Sequence, residues 1–389
     1  MRQELEFKAD RIEAVLQLHK VPARVTGGTV TPRWVRFQVL PAIGARISKI
    51  RGLDEELAAA LDAPSCRISR HGAAVAVEVP RADAQPVRLM PLFRELVQDT
   101  PGPGIPPKTA ILGLAEDGAP LLIRLPSPDV AHILVAGTTG SGKTVLLQSL
   151  ILSLALTNPP ALAHGLVVQG GVALVLVDPK AHAFGALEGL PHLARPIIHT
   201  PREACEALQS LVRLMERRSA EMSRPGSSQA PEPTVVVVVD ELADLLMVGG
   251  SEVQWALTRL TQRGREAGIH IVAATQKPSA AVLGPLVKAN FPVRLVGRVT
   301  SVEDARTATG WSGSGAERLL GRGDFLAVAE GRTIRFQVAY VSRSEIAEAV
   351  ANLGQGGAWA AARPAAAVRA TARPPLGLRA SARLVQEGV

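Results

Sequence analysis

"HILVAGTTGSGKTVLLQ", residues 132–148, decides the fold. An apolar run of Ile133, Leu134 and Val135 breaks into a glycine-rich loop, then into an apolar helical stretch. From Gly137 to Thr144 the loop spells G-x-x-x-x-G-K-T: Gly137, Thr138, Thr139, Gly140, Ser141, Gly142, Lys143, Thr144. Such a loop turns backbone N–H groups inward on a triphosphate, while the lysine and the helix N-terminus add positive potential. The glycines allow backbone angles that a Cβ forbids and a close approach to the phosphates. The motif therefore predicts a nucleotide site in which Lys143 reaches the β- and γ-phosphates and the Thr144 hydroxyl ligates Mg²⁺.

Outward from this loop the pattern of apolar strand, loop and helix repeats. "VALVLVDPK" leads to "REACEALQSLVRLMERR", "TVVVVVDELADLL" leads to "VQWALTRLTQRGREAG", and "IHIVAATQKP" follows. Continuous Val/Leu runs between helices predict strands buried on both faces, hence a mostly parallel sheet with helices on each side. Ligands of such sheets bind at the carboxyl ends of strands. Asp240 ends the five-valine run and is placed to hold Mg²⁺ through its water shell. Glu241 follows it as a general base toward water. Carboxylates at a helix start also complement the helix dipole, but beside a phosphate loop the catalytic pair is the stronger reading. Gln276 closes the next run, where an amide either senses a γ-phosphate or simply ends a strand. Arg265 in "TQRGREAGIH" and Arg306 in "VEDARTATG" are candidates for an arginine supplied across a subunit boundary; the plain alternative is a solvated arginine. His132, His182 and His192 lack metal-ligand spacing and read as structural.

The 389 residues suggest two or three domains, and 47% hydrophobic content supplies a core. Lys+Arg 43 against Asp+Glu 35 gives +8, which suits a polyanionic partner and equally suits an arginine-rich coding bias. Cys66 and Cys205 have no partner at ligand spacing and read as small core residues in a reducing compartment. The first fifteen residues carry charges throughout and no apolar signal region, and the apolar helix candidate at 145–156 is too short to cross a bilayer. A soluble, cytoplasmic protein with no membrane segment of its own is expected. Residues 1–85 read as a small α/β domain, with a helix near 9–19, strands at "ARVTGGTV" and "WVRFQVL", a helix at "GLDEELAAAL" and strands at "CRIS" and "AVAVEVP". Residues 86–108 are linker and entry to the next domain, 109–342 the α/β domain of the loop, and 343–389 a short helix and a disordered Ala/Pro/Arg-rich tail.

Six blocks, in order, resemble the FtsK/SpoIIIE family of double-stranded DNA translocases. They are "HILVAGTTGSGKT", "LVDPK" with "EGLPHL", "VVVDELADLL", "REAGIHIVAATQKP", "KANFPVRL" and "GAERLLGRGDFL", and "VAVEVPRADAQPVRL" looks like the entry to the motor region. The resemblance implies a RecA-like P-loop NTPase that forms a hexameric ring of identical subunits around duplex DNA. Residues 1–85 would correspond to a smaller ring-building domain. It implies ATP and Mg²⁺ as cofactors, Gly137–Thr144 as the nucleotide loop, Asp240 and Glu241 as the Walker B pair and Gln276 as the polar sensor. Arg265 matches the arginine of the family's "RAAGIH", and Arg306 that of its later "SRT"; Arg265 is preferred as the arginine acting in trans. The expected function is ATP-driven movement of DNA, largely independent of sequence, in chromosome or plasmid partition or conjugative transfer. The alternatives are a protein-secretion ATPase of related type and a DNA-binding regulator switched by nucleotide. Several features depart from the family. Its membrane-spanning N-terminus and winged-helix domain have no counterpart here, Lys277 stands where arginine is usual, residues 157–171 are longer and 219–233 shorter.

Overall fold

The valine-rich runs form strands because side chains alternate across a strand and here both faces meet apolar layers. The structure, a computed structural model, describes residues 2–71, 74–99, 104–163, 166–224, 231–278, 290–355 and 378–380. The chain divides into one unit of residues 1–86 with 116–118, and a second of 87–115 with 119–389.

The first unit contains α1 (Arg2–Leu18), β1 (Ala23–Val30), β2 (Trp34–Pro41), α2 (Ile47–Arg51), α3 (Asp54–Ala60), β3 (Arg67–His71) and β4 (Ala74–Pro80). Its sheet has the order β1-β2-β4-β3 and is antiparallel throughout. Val35, Phe37 and Val39 of β2, with Val75, Val77 and Val79 of β4, share one buried face. Ile12 and Leu16, one helical turn apart on α1, and Leu57 of α3 join that cluster.

The second unit opens with α4 (Leu89–Arg94), β5 (Thr109–Ala115), β6 (Pro120–Arg124), β7 (Ile133–Ala136), α5 (Lys143–Thr157), β8 (Leu162–Ala163) and β9 (Leu166–Val167). It continues through β10 (Val172–Val177), α6 (Pro201–Met222), β11 (Thr234–Val239), α7 (Leu242–Arg263), β12 (Ile269–Thr275) and β13 (Val293–Val296). Last come α8 (Val302–Thr309), β14 (Asp324–Ala329), β15 (Arg332–Val338), α9 (Arg343–Gly354) and β16 (Leu378–Ala380). The main sheet has the order β10-β11-β12-β7-β13-β14-β15-β5-β6-β16. From β10 to β13 every pairing is parallel. From β13 onward every pairing is antiparallel. The RecA-like α/β fold is as expected from the sequence, and the antiparallel strands extend it.

Along β10, Val172, Leu174 and Leu176 pack on the side of α5, with Leu146, Leu147, Leu150 and Leu154. Ala173, Val175 and Val177 pack on the opposite side, against α6 through Leu208, Leu211 and Met215 and α7 through Leu245 and Leu257. Helix α5 is enclosed nearly all round, which accounts for its lack of a polar face. Helix α6 shows the other pattern, a buried stripe at Ala204, Ala207, Leu208, Leu211 and Met215. It starts at Pro201, and the Thr200 hydroxyl oxygen accepts from Glu203 N–H as its cap.

Strand β7 lies between β12 and β13. The chain leaves it for the far side of the sheet at β10 and later returns on its other side at β13, so the loop after β7 opens at the crossover point where such sheets bind ligands. Among the described residues no helix is long and apolar enough to cross a membrane. Of the tail expected to be disordered, 356–377 and 381–389 lie outside the described residues, and Leu378–Ala380 pair with β6.

Candidate nucleotide site

The glycine-rich loop joins the end of β7 to the first turn of α5. Gly140 and Gly142 adopt φ of +79° and +102°, the region glycine enters without strain. A Cβ on Gly142 would also stand 2.7 Å from Gly323 N. The neighbouring strand ties on through Gly137 N–H, which donates to Thr275 O at 3.2 Å.

Lys143 is buried at 5% exposure. Its Nζ donates to the backbone carbonyl of Asp240 at 2.8 Å and lies 3.5 Å from Asp240 Oδ1 and 3.6 Å from Glu241 Oε2. Both carboxylates are buried where β11 passes into α7. Burial pushes the Asp240 carboxyl above the usual carboxylate range; Lys143 opposes this, and the nearby Asp178 and Glu241 add to it. Asp240 Oδ1 is buried without a hydrogen-bond partner, and such an atom normally has one.

Gln276, at the end of β12, bridges the two sides of the site. Its backbone N–H is 3.2 Å from each Glu241 carboxylate oxygen, and its side-chain Oε1 accepts from Thr139 Oγ1 at 3.1 Å. The fold thus brings Thr139, Lys143, Asp240, Glu241 and Gln276 into one cluster, although they come from three separate strand ends.

The two arginines are elsewhere. Arg265 is exposed in the turn between α7 and the start of β12. Seven strand residues separate that turn from the loop side, roughly 20 Å at strand rise. No arginine side chain spans that distance, so Arg265 cannot act on the loop of its own chain. Arg306 is exposed on α8 and pairs with Glu303 one turn earlier at 3.3 Å.

Three features escaped the sequence reading. Asp178 ends β10 as Asp240 ends β11, and it is fully buried. Its carboxylate accepts from the N–H groups of His182, Ala183 and Phe184 at 3.3, 2.8 and 3.0 Å, which fixes the chain beside the site. Its place at a strand end within "LVDPK" was the available signal. The second feature is Arg298, whose carbonyl accepts from Thr138 N and Oγ1. The third is the turn Gly321–Gly323, which lies against the loop. Arg298 has no local sequence signal, and the turn shows only as the paired glycines of "GAERLLGRGDFL", with nothing local to say that it meets the loop.

The histidines read as structural are not grouped with other ligands; among the described residues no cluster of three or more His, Cys, Asp or Glu can hold a metal. Burial pushes His132 down to about 3, and its Nδ1 accepts from Ile271 N–H at 3.0 Å. His192 is likewise buried and shifted down.

Comparison with known proteins bears on the whole chain. Residues 107–230 and 220–280 match the sequence model of the FtsK/SpoIIIE family, and residues 1–81 match that of the FtsK alpha domain. The chain is 36% identical over 373 residues to a DNA translocase FtsK of Bacillus anthracis, covering 89% of this chain and 45% of that protein. It is 35% identical over 366 residues to the DNA translocase SpoIIIE of Bacillus subtilis, covering 88% and 44%. The chain thus spans less than half the length of these curated relatives. Among solved structures, the pCW3 conjugation coupling protein TcpA with ATPγS superposes with a TM-score of 0.59 at 20% identity, covering 89% of this chain and 99% of that one. The cytoplasmic domain of the type VII secretion ATPase EccC of Thermomonospora curvata gives 0.55 at 23% identity, covering 69% and 34%. At those identities the two structures speak to the P-loop ATPase fold alone. The FtsK alpha match, the FtsK/SpoIIIE match and the 35–36% identity over most of this chain lead to one conclusion: the chain belongs to the FtsK/SpoIIIE family.

Proposed function

We propose that the chain is an ATPase motor that moves double-stranded DNA, working as a ring of identical subunits in the cytoplasm. The observation that carries this is the closed cluster of Lys143, Asp240, Glu241 and Gln276 around a phosphate loop, in a chain 36% identical to a DNA translocase. The loop N–H groups and Lys143 bind the triphosphate, and Lys143 exchanges its present contacts to Asp240 and Glu241 for phosphate oxygens. Thr144 and Asp240 are the residues that would hold Mg²⁺. The buried Oδ1 of Asp240, which accepts no hydrogen bond and faces Lys143 at 3.5 Å, fits a water-bridged cation, whose charge would offset that on the phosphates. Glu241 takes the proton from the attacking water. Gln276 contacts both that base and the loop tip, so loss of the γ-phosphate reaches β12 through it. Arg265, too far from its own loop, completes the neighbour's site and stabilises transition-state charge there. Duplex DNA is held through its phosphates, a contact that carries no sequence information.

The test is ATP hydrolysis with and without linear duplex DNA, together with displacement of a third strand from that duplex. DNA-stimulated hydrolysis with displacement is expected on duplexes of unrelated sequence. Hydrolysis indifferent to DNA, with no displacement, would remove the DNA-motor reading and leave the ATPase.

A further inference from the structure

The nucleotide loop is gripped from outside by the antiparallel half of the sheet. A loop that aims its N–H groups at phosphates must aim carbonyls the other way, and those carbonyls need donors. Gly140 O accepts from Arg322 N–H at 2.9 Å and Ser141 O from Gly323 N–H at 2.6 Å. On the adjoining side Arg298 O accepts from Thr138 N–H at 2.9 Å and from Thr138 Oγ1 at 3.0 Å.

The turn that makes the first grip holds an uncommon conformation. Gly321, Arg322 and Gly323 have φ of +73°, +50° and +90°, and an arginine in that region persists only where its surroundings enforce it. Enforcement comes from the strand ends behind the turn. Asp324 is fully buried and accepts from Arg335 Nε at 2.8 Å and Nη2 at 2.7 Å, a two-pronged charged pair. It also accepts from Leu320 N–H at 2.9 Å. Gln337 Nε2 donates to Arg322 O at 3.0 Å, and Val338 N–H donates to Gly323 O at 2.8 Å. The fit has no slack: a Cβ on Gly323 would lie 2.6 Å from Gln337 Nε2.

We propose that this turn is a positioning element for nucleotide binding. Asp324, Arg335 and Gln337 fix the turn, the turn fixes the outward carbonyls of Gly140 and Ser141, and the loop N–H groups are thereby aimed before the triphosphate arrives. Geometry set in advance lowers the cost of binding, so these residues set affinity. The inference rests on the reading of Gly137–Thr144 as an ATP site.

Two substitutions test it, each assayed with a fluorescent non-hydrolysable ATP analogue and with steady-state ATP hydrolysis. Gln337→Met keeps the side-chain length and removes the donor to Arg322. Loss of one such bond should raise Kd and KM about two- to tenfold. The kcat should stay within about twofold of the parent, because a loss shared by ground and transition states appears in KM. Asp324→Asn should raise Kd further, since it breaks a charged pair. Unfolding of Asp324→Asn would leave the decision to Gln337→Met, whose melting temperature and oligomeric state serve as checks. Unchanged Kd in a folded Gln337→Met protein, or a fall in kcat at unchanged Kd, overturns the positioning role while the ATP site stands. Failure of the parent protein to bind the analogue would instead overturn the site itself.

Discussion

The two halves of the large sheet differ in burial and in work: the parallel strands are buried almost throughout, whereas β6 and β15 carry exposed positions. Strands β10, β11, β12, β7 and β13 run parallel, so their carboxyl ends fall on one edge. That edge collects Asp178 after β10, Asp240 and Glu241 after β11, Gln276 after β12 and the phosphate loop after β7. Beyond β13 the strands alternate in direction, and their ends divide between the two edges. The start of β14 and the end of β15, paired as Asp324 with Gln337, lie on the loop edge. On the proposed reading the parallel half supplies the reacting groups, and the antiparallel half supplies a brace. Strand direction alone produces that division.

If the division is right, the largest effects belong to the parallel edge. Lys143→Ala should abolish nucleotide binding and hydrolysis together. Glu241→Gln should keep binding and lower turnover by about 10² to 10⁴, the range for a lost general base. Equilibrium binding of an ATP analogue beside single-turnover hydrolysis separates the two. Near-normal hydrolysis by Glu241→Gln would take the base out of the parallel edge and blur the comparison.

The next effect tests whether the opposite edge matters only to a neighbour. Arg265→Ala should bind ATP and DNA but hydrolyse about a thousandfold more slowly, as for a missing trans-acting arginine. Mixing it with Lys143→Ala subunits should restore part of the activity, because some interfaces then pair an intact loop with an intact arginine. Activity that stays at zero across all ratios, with mixed rings confirmed by mass, would rule out Arg265 as the sole trans residue and move the test to Arg306.

The smallest effect concerns acid. Buried histidines sit in the parallel half, at His132 before β7, His270 in β12 and His192 beside β10, and the strands β5, β6, β14 and β15 contain none. Burial holds His132 at about 3 in the fold, against about 6.5 unfolded. A lowered histidine contributes stability that is complete above the unfolded value and is lost as pH falls toward the folded one. Between pH 7.5 and 5, His132 alone should account for a loss of about 2 kcal/mol. His132→Asn retains an acceptor for Ile271 N–H, so it should shrink that pH difference by the same amount in urea unfolding. A pH difference unchanged by the substitution would show that His132 is not the titrating group.

Much of the parallel edge could be read from the chain in advance. Gly137–Thr144, Asp240 and Glu241 each close an apolar run, and a run of five valines has few other structural uses. Gln276 reads either as a sensor or as a strand-end residue, and the structure sets it in contact with Glu241 and Thr139. Asp178 stands at a strand end in "LVDPK", but a carboxylate followed by Pro179 suits a turn equally well. The antiparallel strands of the large sheet carry no comparable signal. "DFLAVA" and "TAILGLA" are short apolar runs without flanking helices, and such runs do not separate from buried helix by period alone.

The sequence by itself determined the local chemistry: which loop can wrap phosphates, which runs are buried on both faces, and where a base can stand at a strand end. Those properties depend on neighbours a few residues away and on side-chain alternation. Only the tertiary structure decided that β7 sits between β12 and β13, that Lys143 meets Asp240 and Glu241, that Arg265 lies at the far edge from its own loop, and that Gly321–Gly323 holds the loop from outside. Strand order and register arise from the joint packing of segments distant in the chain, and no local period encodes which strand will lie beside which.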